Sequence, residues 1–469
     1  MTQPNILFIY SDQHRADAMG CAGNELIHTP NLDRLASEGV RFSNAWTESP
    51  ICQPARASLL TAKYPHEHGI IGNFTGECEP VWESYPRNLQ AAGYSTAVIG
   101  KTHYSNWPMG KEKEPAPAEA WIQEFGYDHV VEEFDRYVHI GFETPYTEFV
   151  QARGDFEAYQ QAVRDRFRIG DRHWEAVTSP LPQELDLTSF LAGEASNWIA
   201  KQSASKPWFL NLAFVQPHVP LMGDPIWADY YKDLQIPRSE TDIPNPVSER
   251  WREHLQILQK HSHSELLTDD YVLAGARQYY AMVSLIDQKV GEIMEALDER
   301  GELDNTWIIY ASDHGEMLGD HGLMAKMCFY KSSVRIPMII RPPGGCKASI
   351  SDAPVQAFDL VPTMLEIANA KPLSEASAQS LLPKVSGDGD EDREVAHSMI
   401  RMRPGMPVWV AVSDGQYRLT YERDSEEVVE LFDLGNDPNE NDNLVEDVSQ
   451  SLRVTQLLDL SREVLNSVS

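Results

Sequence analysis

Positive charge is scarce in this sequence: 39 Lys and Arg stand against 71 Asp and Glu in 469 residues, a formal net charge of −32. Binding nucleic acid by counterion release needs clustered Lys and Arg, and adhesion to anionic lipid needs the same, so both are excluded as the main activity. An anionic small molecule is compatible only with a locally basic pocket. Cysteine is also sparse. Cys21, Cys52, Cys78, Cys328 and Cys346 are odd in number and widely spread, with no CxxC pair, which is neither a disulfide framework nor a zinc site. Four of them read as ordinary buried thiols. Nor does any apolar run approach the ~20 residues that span a bilayer. The first apolar run, 6–10, has five residues and no basic flank, too little for a secretion signal. The expected location is therefore the cytoplasm.

Hydrophobic residues make up 42% of the chain, enough for a substantial core, which excludes disorder throughout. The length suggests two or three domains. Residues 6–10 form a continuous apolar run ending in Ser11-Asp12-Gln13-His14, as a buried parallel strand opening into a polar loop would. Similar runs recur at 96–100, 208–214, 306–311 and 337–340. Helical patterns lie between them: Thr29 and Pro30 open one as N-cap and first residue, and Met282, Leu285, Ile286, Ile293 and Leu297 mark another over 279–300. Strands alternating with helices predict an α/β sheet covered on both faces, with ligands bound beyond the carboxyl ends of its strands. The main domain is expected over 1–383. Within it, 108–175 reads as an insertion, lining a substrate mouth or making a subunit contact. A Gly/Asp/Glu-rich stretch at 384–394 reads as a linker. It leads into a C-terminal α+β subdomain over 384–469, with a hairpin of 408–412 and 417–421 and a terminal helix over 445–464.

Polar clusters follow several of these strands. Asp12-Gln13 offers oxygen donors suited to a hard divalent cation, and Asp313-His314 follows a second strand in the same way. Alone, each Asp reads equally as a helix cap; two such clusters at the ends of two parallel strands point to a shared metal. Lys101 and His103 follow a third strand. His218 follows a fourth, between Pro217 and Pro220, which constrain the backbone around it.

The stretch Cys52-Gln53-Pro54-Ala55-Arg56-Ala57-Ser58-Leu59-Leu60-Thr61 is the most specific. A Cys near an Arg reads on its own as an activated thiol. Cys-x-Pro-x-Arg followed by Ala-Ser-Leu-Leu-Thr, however, resembles the signature of the type I sulfatases of the alkaline phosphatase superfamily. The remaining clusters stand in that family's order: Asp12, Gly100-Lys101-x-His103, Pro217-His218-x-Pro220, Asp313-His314-Gly315, then Lys326. The resemblance runs from Asn5 to the Glu430–Pro438 segment, and it implies a large mixed, mostly parallel sheet between helices with a smaller C-terminal sheet domain.

The resemblance further implies that a maturation enzyme converts Cys52 to Cα-formylglycine, whose hydrate attacks the sulfur of a small anionic sulfate ester. Arg56, Lys101 and His103 would hold that nucleophile, and His218 and Lys326 would contact the sulfate and protonate the leaving oxygen. Asn73 would add a donor, although Gly72-Asn73 also reads as an ordinary turn. One divalent cation would be bound by Asp12, Gln13, Asp313, His314 and residue 52. Gln13 and His314 replace the commoner Asp and Asn of this family. The added imidazole shifts preference from Ca²⁺ towards Mn²⁺ or Zn²⁺. Asp-Gln with Asp-His resembles the choline sulfatase and phosphonate monoester hydrolase branch, whereas the Lys101-x-His103 pair favours a sulfatase. Hydrolysis of phosphonate monoesters or phosphodiesters by the same apparatus is the alternative, and a catalytically silent binding protein is a third reading. Association into a homo-oligomer is left open.

Overall fold

The structure is a computed structural model and describes residues 3–106, 116–166, 175–237, 242–245, 248–387 and 393–466. Eight strands form the main sheet: β1 (Asn5–Asp12), β2 (Val40–Phe42), β3 (Ser95–Gly100), β4 (His129–Glu132), β5 (Trp208–Pro217), β6 (Thr306–Ser312), β7 (Met338–Arg341) and β8 (Ser349–Ser351). Their spatial order is β8-β2-β7-β6-β1-β5-β3-β4. The five strands from β6 to β4 are mutually parallel, while β7 runs antiparallel to both β6 and β2. Every residue of β1 and β5 is buried, as their unbroken apolar runs predict for interior strands.

Side-chain alternation along β1 divides the core in two. Ile6, Phe8 and Tyr10 join one apolar cluster with Leu59 and Leu60 of α2 (Cys52–Thr61) and Leu360, Val361 and Met364 of a later helix. Leu7 and Ile9 join the other, with Leu32 and Leu35 of α1 (Pro30–Ser37), Leu191 of α3 (Leu187–Ala200) and Ile286, Ile293 and Leu297 of α4 (Asp269–Glu299). The sheet is thus covered on both faces, as expected.

Three local expectations change. Helix α4 starts ten residues before 279, where the Thr268 hydroxyl accepts from the Tyr271 amide and Asp269 and Asp270 occupy the positive end of the helix. Its first turn is largely exposed and carries no apolar periodicity. Thr29 does precede Pro30 of α1, but its hydroxyl does not cap the helix. It accepts from the Gly20 amide, and Asp287 of α4 accepts from the Asn31 and Leu32 amides at 3.0 and 2.7 Å. Finally, the segment read as an insertion contains β4, which pairs with β3 at the sheet edge and belongs to the main sheet. A four-residue strand in polar surroundings gives little signal before its partner is known.

A second sheet follows, with β9 (Ala396–Ile400), β10 (Trp409–Ser413), β11 (Tyr417–Glu422) and β12 (Val428–Asp433) as an antiparallel meander. The expected hairpin is its centre, turning at Gly415 with a φ of 93°. Helix α5 (Ser451–Asn466) packs Leu457 against this sheet and begins six residues after 445. Of the stretch read as a linker, residues 384–386 finish the short helix Leu382–Ser386, and 388–392 lie outside the described residues. Among the described residues no helix is long and apolar enough to cross a membrane.

Candidate active site

Five adjacent parallel strands deliver the site. At their carboxyl ends, β6 is followed by Asp313 and His314, β5 by His218, β3 by Lys101 and β4, three residues on, by Asp135, while β1 ends in Asp12. The register that pairs Ser11 with Ser312 brings the Asp12 and Asp313 clusters side by side. Gly100 allows the close approach of β3 to β5: its φ is 112°, and a Cβ there would lie 1.9 Å from the Ala213 carbonyl oxygen.

Cys52 is the first residue of α2 and is buried against this cluster. Its Sγ lies 3.2 Å from His314 Nε2 and 3.8 Å from Asp12 Oδ1. One ligand atom each from Asp12, Cys52, Asp313 and His314 falls within 4.8 Å of the others, and all four residues are buried. The His314 ring is set for ligation. Its Nδ1 lies 3.0 Å from the Gly315 carbonyl, which only accepts, so Nδ1 carries the proton and Nε2 turns a lone pair inward. Burial lowers the pKa of this imidazole, with Asp313 opposing and Lys326 reinforcing the effect.

Arg56, one turn along α2, bridges both carboxylates, donating from Nε to Asp313 at 2.9 Å and from a terminal nitrogen to Asp12 at 3.2 Å. Its other terminal nitrogen donates to the Lys101 carbonyl oxygen. Lys101 Nζ donates to Asp12 at 2.6 Å and to Asp135 at 2.5 Å. Burial opposes the Lys101 charge, but these two carboxylates outweigh it and raise the pKa well above the usual lysine range. Burial also disfavours ionised Asp12, and Lys101, His218 and Arg56 reverse that, holding its pKa well below the ordinary value. His103 is pushed down to about 3 by burial and by Lys101, and its Nδ1 is buried with no partner among the described residues. His218 Nδ1 donates to the Val219 carbonyl oxygen at 3.0 Å, with Asp135 3.4 Å away.

The structure brings the sequence-predicted residues to one place, with two differences in detail. Gln13 stands beside the cluster, but its amide oxygen accepts from Lys326 Nζ and its amide nitrogen donates to Glu316. Asn73 Oδ1 accepts from the Gln53 amide at 3.0 Å, capping the first turn of α2 and leaving only its NH₂ group as a donor. Two residues escaped sequence reasoning. Asp135, which joins Lys101 to His218, lies in the segment taken for an insertion; the acidic Glu132-Glu133-x-Asp135 run after a short apolar pair was its only signal. Glu316 accepts from the Leu318 and Ala325 amides at 2.9 and 2.7 Å and so anchors the loop carrying Lys326. Burial pushes Glu316 up to about 7. Its position two residues after His314 could have been noticed.

Comparison with known proteins agrees with this geometry. The model described as Sulfatase matches residues 4–370, and one described as N-sulphoglucosamine sulphohydrolase, C-terminal, matches residues 319–465. An arylsulfatase of Clostridium perfringens is 28% identical over 468 residues, covering 97% of this chain and 93% of that protein. A choline-sulfatase of Rhizobium meliloti is 29% identical over 463 residues, covering 95% and 83%. The phosphonate monoester hydrolase of Agrobacterium radiobacter shares the fold, with a TM-score of 0.80 at 23% identity over 98% of this chain and 96% of that one. With most of its length matched by one family, and that family's cysteine signature seated among two carboxylates and an inward-turned imidazole, the chain belongs to the sulfatases, a family of sulfuric ester hydrolases.

Proposed function

We propose that the site hydrolyses a sulfate monoester to an alcohol and inorganic sulfate, using residue 52 as Cα-formylglycine and one divalent cation. The observation that carries this reading is the convergence of Asp12, Cys52, Asp313 and His314 in a buried site ringed by Arg56, Lys101 and Lys326. The donor set fits a cation. Two carboxylates are hard ligands and the lone-pair-bearing imidazole a borderline one, a set compatible with Mn²⁺, Ca²⁺ or Zn²⁺. The Cys52 Sγ marks the position that the oxygen of the modified residue would take. Gln13 is the fifth proposed ligand, its amide oxygen being shared with Lys326 in this structure. A bound cation supplies Lewis acidity and lowers the cost of deprotonating an attached hydroxyl, and the formylglycine hydrate supplies the nucleophile.

The chain's own residues do the rest. Arg56 and Lys101 are cations facing three carboxylates, Asp12, Asp135 and Asp313, while Lys326 stands on Gln13 near Glu316; a divalent cation offsets the remaining negative charge and makes the site receptive to a sulfate monoanion. His103, neutral and unpartnered at Nδ1, is a hydrogen-bonding or base partner for the group on residue 52. His218, with Nδ1 fixed on Val219, presents Nε2 to the departing alcohol oxygen, and Lys326 and the Asn73 amide nitrogen supply donors to the sulfate oxygens. Maturation requires a formylglycine-generating enzyme as a transient partner. We also place the boundary between catalytic and C-terminal parts near residue 383.

The test is release of inorganic sulfate from an aryl sulfate by matured, cation-loaded enzyme, with the matched aryl phosphonate monoester as comparator. No sulfate release, or faster turnover of the phosphonate, would reject the proposal.

A further inference from the structure

Outside this site, the main sheet and the C-terminal sheet meet around an open cavity of about 450 Å³. Arg41 of β2 lines it, together with Lys331 and Arg335 from the segment before β7, and Pro438 and Glu440 from the loop after β12. Its charge runs against that of the whole chain. The nearby carboxylates are already engaged: Asp17 pairs with Arg15 at 2.6 Å, and Glu440 accepts from Arg418 and from the Lys331 backbone amide, each at 2.6 Å. The cations are less fully met: among the described residues, Lys331 and Arg335 feel Asp17 and Glu440 without forming an ion pair with either. Among the described residues the Arg41 side chain has no hydrogen bond or ion pair. Arg335 lies 5.7 Å over the Trp46 ring, and among the described residues its side chain donates once, to the Ser43 carbonyl at 3.1 Å, leaving Nε buried without a partner there. Lys331 Nζ rests on neutral oxygens, those of Pro438 and of the Asn439 side chain.

Buried guanidinium groups are ordinarily paired, because an unmet donor in low dielectric is costly. Desolvation pushes half-buried Arg335 down to about 10, with Glu440 only partly opposing it, whereas the fully buried Arg418 is raised by its own carboxylates. Cations left uncompensated around a concavity are complementary to a planar or tetrahedral oxyanion, which a guanidinium binds through parallel N–H bonds. The cavity is also of the size usual for small-molecule sites.

We propose that this cavity binds a small oxyanion, a phosphate, sulfate or carboxylate group, held by Arg41 and Arg335 with Lys331 as the outer charge. Because its walls come from both sheets, the ligand ties the C-terminal part to the catalytic part. Calorimetric titration of the matured enzyme with inorganic phosphate, inorganic sulfate and citrate tests this and separates the three chemistries. Anion bound at the catalytic site is read independently, as competitive inhibition of aryl sulfate hydrolysis. The expected result is a second site per chain for at least one anion. Arg41→Ala should weaken that site by about tenfold or more while leaving the inhibition constant unchanged. Arg41 has no side-chain partner to lose, so this variant should fold as the parent does. Arg335→Lys, which keeps the charge but not the fork, should weaken the same site. Binding by Arg41→Ala indistinguishable from that of the parent would overturn the proposal, as would a parent showing only the inhibitory site.

Discussion

Asp135 offers the sharpest test of how the site is organised, because it is the carboxylate between Lys101 (2.5 Å) and His218 (3.4 Å). Asp135→Asn keeps an acceptor oxygen of nearly the same shape and removes the charge. The lost increment is the difference between a charge-assisted hydrogen bond and a neutral one, about 1–2.5 kcal/mol. If Lys101 acts on the transition state, kcat/KM should fall roughly 5- to 70-fold. Asp135→Ala also removes the acceptor, leaving Lys101 with Asp12 alone in a buried setting. Breaking a buried pair costs about 3–5 kcal/mol, and the surviving Asp12 contact places this case at the lower end. Urea unfolding should therefore rank the parent above Asn above Ala, with Ala about 3 kcal/mol less stable. Burial alone would raise the Asp135 pKa, but His218 and Lys101 depress it below the ordinary value. Its stabilising contribution is thus present above the unfolded-state pKa near 4 and is lost as pH falls through the lower folded value, so the parent–Asn gap should be full at neutral pH and shrink in acid. A folded Asp135→Asn enzyme with kcat/KM within twofold of the parent would refute this linkage.

Other outcomes follow from the same geometry. Chelation should abolish turnover, and Mn²⁺ should restore at least as much activity as Ca²⁺, since His314 adds nitrogen ligation; unchanged activity in metal-free protein would contradict this. An aryl sulfate should exceed the matched phosphonate monoester in kcat/KM by about 5- to 150-fold, because a donor facing carbon in place of a third oxygen costs roughly 1–3 kcal/mol. His254 is buried, stacked on Trp251 at 4.6 Å and lowered to about 4 by that burial. Its contribution is full well above pH 6.5 and is lost as pH falls towards 4, amounting to about 1.6 kcal/mol between pH 6.5 and pH 5. Urea titrations of His254→Gln should show a correspondingly shallower loss of stability over that interval.

What could be read from the sequence was what is local. Runs such as Ile6–Tyr10 declare interior strands because every side chain is apolar, and the clusters after them need only sheet topology to converge. The cysteine signature supplied the chemistry, since its residues lie within one helix. What was hidden depends on distant partners. Asp287 caps α1 from α4, across more than 250 residues, and no pattern around Thr29 reveals it. Asp135 gains its meaning only when β4 pairs with β3, and Glu316 only when its carboxylate folds back onto Ala325 and Gln13. Oxygen at Gln13 suggested a ligand, but a lysine thirteen residues beyond Asp313 takes that oxygen in the structure.

The central claim is that residue 52 acts as a formylglycine at the cation cluster. Its most direct test pairs a mass spectrum of the Cys52 peptide with aryl sulfate turnover across preparations co-expressed with increasing maturation enzyme. Turnover per chain should rise in proportion to the aldehyde fraction and extrapolate to zero at full cysteine, with Cys52→Ala inactive. Full turnover in Cys52→Ala, or turnover independent of the aldehyde fraction, would contradict the account.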